Sequence, residues 1–262
     1  MSFKDIFNLD AEVKESAHAR VNLIGEHTDY TGGYVMPTLL SFKNTIEISK
    51  NNSNEFTVYS QHFKEKKTFN DLKKSTNNEW VDYIKGCLYI FFDENKISSR
   101  FLNIFISSDI PLERGISSSS ALCVATLKAL NTFFETKIKD PEIAKLAKKV
   151  EFNYIGVSGG IMDQMVSSIG IHGKAFFMNC KNLEYELINF PENWKFCLID
   201  SEVQRNLRDS SYNERFAELQ EAEKKLGVEY LGEVKKENFQ TNKFDNNTTV
   251  SYTHLTLPTN GC

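Results

Sequence analysis

Short runs of β-branched and aromatic residues alternate with clusters of Gly, Asn and Ser through the first part of the chain. Such runs are typical of strands bounded by turns. They predict strands at residues 17–24, 34–40, 45–49 and 55–60, and the apolar run at 101–107 predicts another. This arrangement favours a mixed or antiparallel sheet.

Helical periodicity begins later in the chain. Residues 80–93 form an amphipathic segment, and residues 117–136 place apolar side chains along one stripe. Asp140 and Pro141 have the N-cap and N1 signature of a helix that runs to about Tyr154. Gly159 and Gly160 then interrupt the chain before a further helix.

The last predicted elements are three strands and a helix. Apolar runs predict the strands at residues 175–179, 185–188 and 196–199. A capping-box pattern from Ser211 to Glu214 predicts the start of the helix, and Gly227 predicts its end. The elements together predict an α+β fold, because they lack the βαβ alternation of a doubly wound sheet.

The composition is that of an ordinary globular protein. Of 262 residues, 40% are hydrophobic and 25% are charged, and the formal net charge is −4. General nucleic-acid binding depends on a cationic surface, which this balance does not favour. The longest apolar runs fall far below the ~18 residues that cross a bilayer, and the charged amino-terminal residues do not suit a signal peptide. We therefore expect neither nucleic acid nor membrane as a partner.

The cysteines are odd in number and widely spaced, with no CxxC pair: Cys87, Cys123, Cys180, Cys197 and Cys262. This spacing argues against a disulfide framework and against structural zinc. We therefore expect the protein in the reducing cytoplasm. The oligomeric state is left open, with a monomer as the simplest expectation.

The sequence RVNLIGEHTDYTGG at residues 20–33 is the first concentration of candidate functional side chains. A predicted strand carries Arg20, and a glycine-containing turn carries Glu26, His27 and Asp29. Hydrogen-bonding groups that converge beside a turn suit a polyhydroxylated ligand, because a wrong ligand leaves buried acceptors unpaired. A structural turn with solvated charges and a carboxylate–histidine metal site are the alternatives.

The sequence PLERGISSSSA at residues 111–121 lies between a predicted strand and an Ala- and Leu-rich helix. Backbone amides at a helix N-terminus, together with the helix dipole and serine hydroxyls, favour phosphate binding. The chain contains neither GxxxxGK[ST] nor GxGxxG after a strand, so a P-loop and a Rossmann site both lack their signature. A serine run that only caps the helix is the alternative.

The third candidate combines Glu151 with the sequence GGIMDQ at residues 159–164. Glycine permits close backbone approach, and Asp163 falls in the first turn of a predicted helix, where the dipole favours negative charge. Simple compensation of that dipole is the alternative. The three segments together supply an anion site, a polar ring, one Arg and one Asp, which are the components of phosphoryl transfer to an alcohol.

The same segments resemble the motifs of one known family. The sequence RVNLIGEHTDY at residues 20–30 resembles the galactokinase signature, and residues 117–119 resemble the phosphate loop of the GHMP kinase superfamily. The sequence GIMDQ at residues 160–164 is similar to the segment that holds the catalytic aspartate of that superfamily. The resemblance covers residues 17–232, and it implies an ATP- and magnesium-dependent kinase that converts galactose to galactose 1-phosphate.

The resemblance also implies a role for each matching residue. Asp163 would face the C1 hydroxyl of the sugar as the catalytic aspartate, and Arg20 would stabilise charge in the transition state. The residues implied to bind the sugar are Glu26, His27, Asp29, Gly160 and Tyr212. Those implied to contact ATP are Ser60, Gly115, Ser117, Ser118 and Ser119, and those implied to position Mg²⁺ are Ser119 and Glu151.

The fold implied by the resemblance is the two-domain GHMP kinase fold. Residues 1–160 are expected to form the N-terminal domain, which is ribosomal-protein-S5-like and carries the sugar and nucleotide loops. Residues 161–245 are expected to begin a C-terminal α/β domain that is incomplete, because family members continue further. Residues 246–262 show no clear amphipathic period and are expected to be a non-native tail.

Two other functions remain open on the sequence. A sister kinase for N-acetylgalactosamine or arabinose would differ in the pocket volume around the sugar C2 or C6. A galactose- and ATP-binding sensor, or an inactive fragment, would bind ligand without turnover. The presence of both Arg20 and Asp163 argues against a loss of chemistry by point substitution.

Overall fold

The computed structural model describes residues 1–76, 79–98, 100–111, 114–200 and 210–234, and of residues 210–213 only the backbone. The strands are β1 Val13–Asn22, β2 Tyr34–Val35, β3 Pro37–Lys50, β4 Phe56–Ser60, β5 Glu65–Phe69, β6 Leu102–Ser108, β7 Lys174–Asn179 and β8 Tyr185–Asn189. The α-helices are α1 Phe3–Phe7, α2 Asp82–Asn95, α3 Ser118–Phe133, α4 Asp140–Lys149, α5 Met162–Ile169 and α6 Ser210–Leu226. A π-helical turn, Val150–Ile155, continues α4, and a 3₁₀ turn spans Leu231–Glu233.

The eight strands found in the described ranges form one sheet in the order β2-β7-β3-β6-β4-β5, with β1 beside β3 and β8 beside β7. The β4–β6 pair is parallel, and the other pairs are antiparallel. A mixed sheet with helices packed on it confirms the α+β class. The same sheet contains β7 and β8, which follow residue 161, and the strands of the first half of the chain. The division into domains at 1–160 and 161–245 stays a prediction.

The main core lies between the sheet and helices α2, α3 and α4. Because successive strand residues point to opposite faces, Ile104 on β6 packs in this core with Phe91 of α2 and Leu127 of α3. Phe105 points to the other face, where it packs against Phe3 of α1. The apolar residues of β6 thus pack into clusters on both faces of the sheet.

A second apolar cluster sets the position of α5. Met162 and Met165 of that helix pack with Ala144 of α4 and with Phe176 and Met178 of β7. This packing holds the amino-terminal turn of α5 beside the end of α4. Asp163 lies in that turn.

The structure differs from the predicted elements in five places. The predicted strands at 34–40 and 45–49 correspond to β2 and the 14-residue β3. The strand β5 and the short helix α1 were not predicted. The N-cap of α4 is Lys139, not Asp140, and it makes no side-chain hydrogen bond. Residues 196–199 are not a strand, because within the described residues nothing pairs with their backbone.

Candidate active site

Arg20 and Asp163 form the centre of the candidate site. Arg20 Nε donates to Asp163 Oδ1 at 2.6 Å, and Nη2 donates to Oδ2 at 2.7 Å. Both side chains are largely buried, with 14% and 25% of their surface exposed. Burial alone would lower the pKa of Arg20, but the Asp163 carboxylate, with smaller contributions from Glu26 and Asp29, offsets this and raises the pKa. The pair is therefore a charged, bidentate contact with little freedom.

Strand β1 positions Arg20 through an irregularity in its pairing. The register with β3 shifts between His18 and Arg20, and the Arg20 amide donates outside the sheet, to Ile116 O at 3.2 Å. Such a bulge turns a side chain away from the regular alternation of a strand. It places Arg20 between the sheet and the segment that precedes α3.

The residues that precede α3, 114–117, form a loop that we call the serine loop. Arg20 Nη1 donates to Gly115 O at 2.9 Å. Ser117 adopts a left-handed conformation with φ of 62° and makes no side-chain cap to α3. Its hydroxyl donates to Asp163 Oδ2 instead. The Ser117 side chain is therefore not a cap of α3, and the first amides of the helix have no intrahelical acceptor.

Glu151 lies in the π-helical turn that follows α4, a type of turn that is frequent at functional sites. Ser120 Oγ donates to its two carboxylate oxygens at 3.2 and 3.0 Å, and Gln164 Nε2 donates to Oε2. Burial raises the pKa of Glu151, and the nearby Ser119 hydroxyl acts against that rise. Among the described residues the buried Gln164 Oε1 has no hydrogen-bond partner, so one acceptor of this cluster is unpaired.

Residues 25–33, which we call the polar turn, are held in shape by internal hydrogen bonds. The buried Thr28 hydroxyl lies 2.7 Å from the carbonyl oxygens of both Gly25 and Tyr34. His27 has a left-handed φ of 64°, and its Nδ1 lies 2.5 Å from the Tyr30 hydroxyl. A turn built in this way holds its polar side chains in fixed directions.

Asp29 lies at the buried side of the polar turn. Burial and the nearby Asp163 raise the pKa of its carboxyl to about 7, although Lys148 and Arg20 act in the opposite direction. A Cβ added at Gly160 would lie 2.1 Å from Asp29 Oδ2. Since no real side chain tolerates that contact, glycine at 160 is what allows the polar turn to approach the residues before α5.

Helix α6 and the 3₁₀ turn pack on the outer side of the polar turn. The ring of Tyr30 lies 5.2 Å from that of Phe216, and Gly232 N donates to Thr31 O at 2.9 Å. Tyr30 also packs beside Leu219 and Leu231. The polar turn is thereby covered on this side by α6 and the 3₁₀ turn.

The structure brings most of the predicted site residues together. Hydrogen bonds connect Arg20, Gly115, Ser117 and Asp163. The Ser119 hydroxyl is hydrogen-bonded to Glu151. Asp29 lies against Gly160. Ser118 begins α3, where its carbonyl accepts from Asn44 Nδ2 at 2.9 Å. These are positions in the structure, and the roles implied by the resemblance remain predictions.

Three further predicted site residues have no hydrogen bond to this group among the described residues. Glu26 is exposed, and its Oε1 accepts from Asn22 Nδ2 at 3.2 Å. Ser60 is buried at the end of β4, where its hydroxyl accepts from Phe63 N at 3.4 Å. Tyr212 lies in the first turn of α6, and its side chain is outside the described residues.

Sequence patterns missed Lys148, Ser120 and Gln164, which the structure adds to the site. Lys148 follows the fully buried Ala144 by four residues and precedes Glu151 by three, so it shares their face of the helix. That spacing was the available signal. It was weak because an alanine is compatible with either a buried or an exposed helix face.

In the described ranges no helix has the length and apolar character needed to cross a membrane. Likewise, the described residues contain no cluster of three or more His, Cys, Asp or Glu side chains that could hold a metal ion. The described residues of the polar turn therefore give no support to a carboxylate–histidine metal site there.

Comparison with known proteins defines the class. Residues 82–170 match the family model described as the GHMP kinases N terminal domain, and residues 1–50 match the galactokinase galactose-binding signature. The structure of a mevalonate kinase from Methanococcus jannaschii superposes with a TM-score of 0.60 at 20% identity, and it covers 94% of this chain and 79% of its own. The fold is therefore that of the GHMP kinases.

Galactokinases match this chain at higher sequence identity. The crystal structure of Lactococcus lactis galactokinase complexed with galactose has a TM-score of 0.86 at 30% identity, covering 97% of this chain and 69% of its own. Galactokinases from Pyrococcus furiosus and Thermotoga petrophila are 37% and 35% identical, over 86% and 87% of this chain. The chain belongs to the galactokinase family. It spans 63% and 64% of the lengths of those two relatives.

Proposed function

We propose that this protein transfers the γ-phosphate of ATP to the C1 hydroxyl of galactose, giving galactose 1-phosphate and ADP. The observation that carries the proposal is the Arg20–Asp163 pair, which joins β1, α5 and the serine loop in one contact. The galactose complex of the Lactococcus lactis relative and the match of residues 1–50 to a galactose-binding signature support this choice of sugar.

The polar turn is proposed to bind the sugar through Glu26, His27 and Asp29. Carboxylate and imidazole groups accept and donate hydrogen bonds to sugar hydroxyls, and a buried acceptor discriminates against a sugar that leaves it unpaired. The close approach of Gly160 to Asp29 sets one wall of this pocket. Tyr212 is proposed to complete it, supported by the contact of α6 with Tyr30 through Phe216.

Asp163 is proposed to orient the C1 hydroxyl. Two Arg20 donors and the Ser117 hydroxyl occupy three of the roughly four acceptor sites of its carboxylate, which leaves about one for the sugar. The C1 oxygen bonds to the γ-phosphorus while the bond to the β,γ-bridging oxygen breaks and ADP leaves. In a loose transition state the hydroxyl proton leaves late, and the Asp163 carboxylate receives it as the new bond completes.

The amino-terminal end of α3 is proposed to bind the triphosphate. The amides of its first turn point toward the serine loop with the positive end of the helix dipole, and Gly115, Ser117, Ser118 and Ser119 surround that end. Arg20 donates to Gly115 O and so lies beside this phosphate site, where it would stabilise charge that develops on the transferred phosphoryl group. For Ser60 the nucleotide role rests on the family resemblance alone.

The cluster around Glu151 fits a magnesium ion. It offers a buried carboxylate, the Ser119 hydroxyl beside it and the unpartnered Gln164 Oε1, which are oxygen donors of the kind Mg²⁺ prefers. One carboxylate with a few neutral oxygens is typical of sites where substrate phosphates complete the shell. Bound magnesium would neutralise charge on the phosphates.

We further propose the cytoplasm as the compartment and the domain division given above. The buried Cys87, Cys123 and Cys180 are free thiols, which supports a reducing environment. The match to the N-terminal GHMP domain ends at residue 170, which supports a boundary in the region of α5.

The test is the reaction itself. The purified 262-residue chain is incubated with Mg²⁺, γ-labelled ATP and, in separate reactions, galactose, N-acetylgalactosamine and arabinose. Transfer of label to galactose in preference to the other sugars is expected. Preferential labelling of another sugar would redirect the assignment to a sister kinase. Binding of galactose without transfer of label would contradict catalysis by this chain.

A further inference from the structure

Lys148 is a charged side chain inside the site to which neither the motifs nor the proposed reaction gives a role. It lies at the end of α4 and is only partly exposed. Its neighbour Lys149 points to the surface, where it pairs with Glu94 at 2.7 Å. Two consecutive lysines of one helix therefore face different environments.

The ammonium group of Lys148 holds the backbone that leads into α5. Its Nζ donates to the carbonyl oxygen of Gly159. The next residue, Gly160, has no space on the side of Asp29, since an added Cβ would lie 2.3 Å from Asp29 Cγ. A displacement of residues 159–160 would therefore be transmitted directly to the Asp29 carboxylate.

The charge of Lys148 also acts on three carboxylates of the site. Its interacting charges are Glu151 of the π-helical turn, Asp29 of the polar turn and Asp163 of α5. Arg20 of β1 is engaged by Asp163 through two hydrogen bonds. Lys148 thus supplies a second positive charge on the side of the site where Asp29 lies against Gly160.

We infer that Lys148 is a positioning residue for the sugar, which fixes residues 159–160 against Asp29 and balances the charge of that carboxylate. The inference rests on the proposed function, because it assigns Lys148 to the galactose side of the site. Galactose affinity should depend on this residue more strongly than MgATP affinity, since Lys148 holds Gly159 beside Asp29, whereas in the described part of the chain it has no contact with the serine loop and acts on Glu151 through its charge alone.

The test compares Lys148→Met, Lys148→Arg and Lys149→Met with the wild-type chain. Galactose and MgATP dissociation constants are measured separately by calorimetry, with a melting temperature for each variant. Lys148→Met is expected to weaken galactose binding about tenfold, the scale of one lost polar contact, and to leave MgATP binding within about twofold. Lys148→Arg, which keeps charge and donors, should recover most of the affinity, and Lys149→Met should match the wild type.

Three outcomes would overturn the inference. Lys148→Met could bind galactose as the wild type does. It could instead lose galactose and MgATP equally, with a lowered melting temperature, which would show a structural role. A wild-type chain that binds no galactose would overturn the proposed function and the inference together, and that result is distinguished from the first two by the wild-type measurement alone.

Discussion

Arg20 and Asp163, which stand 143 positions apart in the chain, meet through two hydrogen bonds of 2.6 and 2.7 Å. Arg20 is on the bulged strand β1, and Asp163 is in the first turn of α5. Each also contacts the serine loop, Arg20 through Gly115 O and Asp163 through the Ser117 hydroxyl. The pair is therefore the point where three separate segments are joined.

Asp163→Asn should separate catalysis from sugar binding. An amide cannot accept the hydroxyl proton and breaks the charged pair with Arg20, so kcat should fall about 100-fold or more, the scale of losing one preorganised polar group at a reacting centre. The galactose dissociation constant should change by less than about threefold, because the polar turn provides the proposed sugar contacts. Steady-state kinetics and calorimetry measure the two quantities.

The matched control is Asp140→Asn, which removes a carboxylate that pairs with Lys128 at 3.3 Å and is largely exposed. It should leave both quantities near wild type. Equal losses of kcat and affinity in Asp163→Asn would contradict the proposed catalytic role, since Asp163 would then mainly bind the sugar.

Gly160→Ala should damage the sugar pocket by crowding. The new methyl carbon would lie 2.1 Å from Asp29 Oδ2, so the carboxylate must shift by about an ångström. A displacement of that size can cost about 100-fold in a positioned site, and we expect galactose affinity to fall at least tenfold. Ser158→Ala, two residues earlier, is the control, and equal affinities for the two variants would count against the crowded contact.

Asp29 should make stability depend on pH. Its pKa is about 7 in the folded chain against the ordinary aspartate value of 3.8, so the folded state binds the proton more tightly. The stability due to this group is present below pH 3.8 and is lost as the pH rises to about 7. Asp29→Asn should therefore raise the free energy of unfolding at pH 8 by a few kcal/mol, since each pKa unit is worth about 1.4 kcal/mol.

Urea unfolding at pH 8 and at pH 5 measures this effect, and the gain should be smaller at pH 5. The exposed Asp10, which pairs with Lys4 at the surface, provides the control variant Asp10→Asn. That substitution should show no such difference between the two pH values. An equal gain in unfolding free energy for Asp29→Asn at the two pH values would contradict the raised pKa of Asp29.

Glu151→Gln should lower activity without lowering stability. Burial raises the pKa of Glu151, so a neutral amide removes a buried charge. If Glu151 helps to hold magnesium, half-maximal activity should require about tenfold more Mg²⁺. Activity measured against Mg²⁺ concentration tests this, with Glu94→Gln on the surface as control. An unchanged Mg²⁺ requirement would exclude Glu151 from the ion site.

The hydrophobic pattern predicted those elements that have a strong apolar signal. Strand β4 is buried at all five positions, and α2 and α3 bury most of their apolar residues. Strand β5 has a sequence, EKKTF, with little apolar signal, and it forms because β4 pairs with it along its whole length. The apolar run at 196–199 gave the opposite error, since no strand in the described ranges pairs with it.

The motifs predicted the identities of most candidate residues but not their partners. Ser117 could have capped α3, and the structure shows its hydroxyl on Asp163. Ser120 and Gln164 donate to Glu151 although neither was chosen from the pattern. A hydroxyl or amide can serve several acceptors, and its choice depends on which one folding brings within about 3 Å.

The sequence alone determined the α+β class, the galactokinase resemblance and the three polar segments, because periodicity and motif spacing are local properties of the chain. Only the tertiary structure decided that Arg20 meets Asp163, that Lys148 faces inward and Lys149 outward, and that Asp29 is half-buried against Gly160 with a pKa of about 7. These depend on distances and on exclusion of water, which arise when segments far apart in the chain pack together.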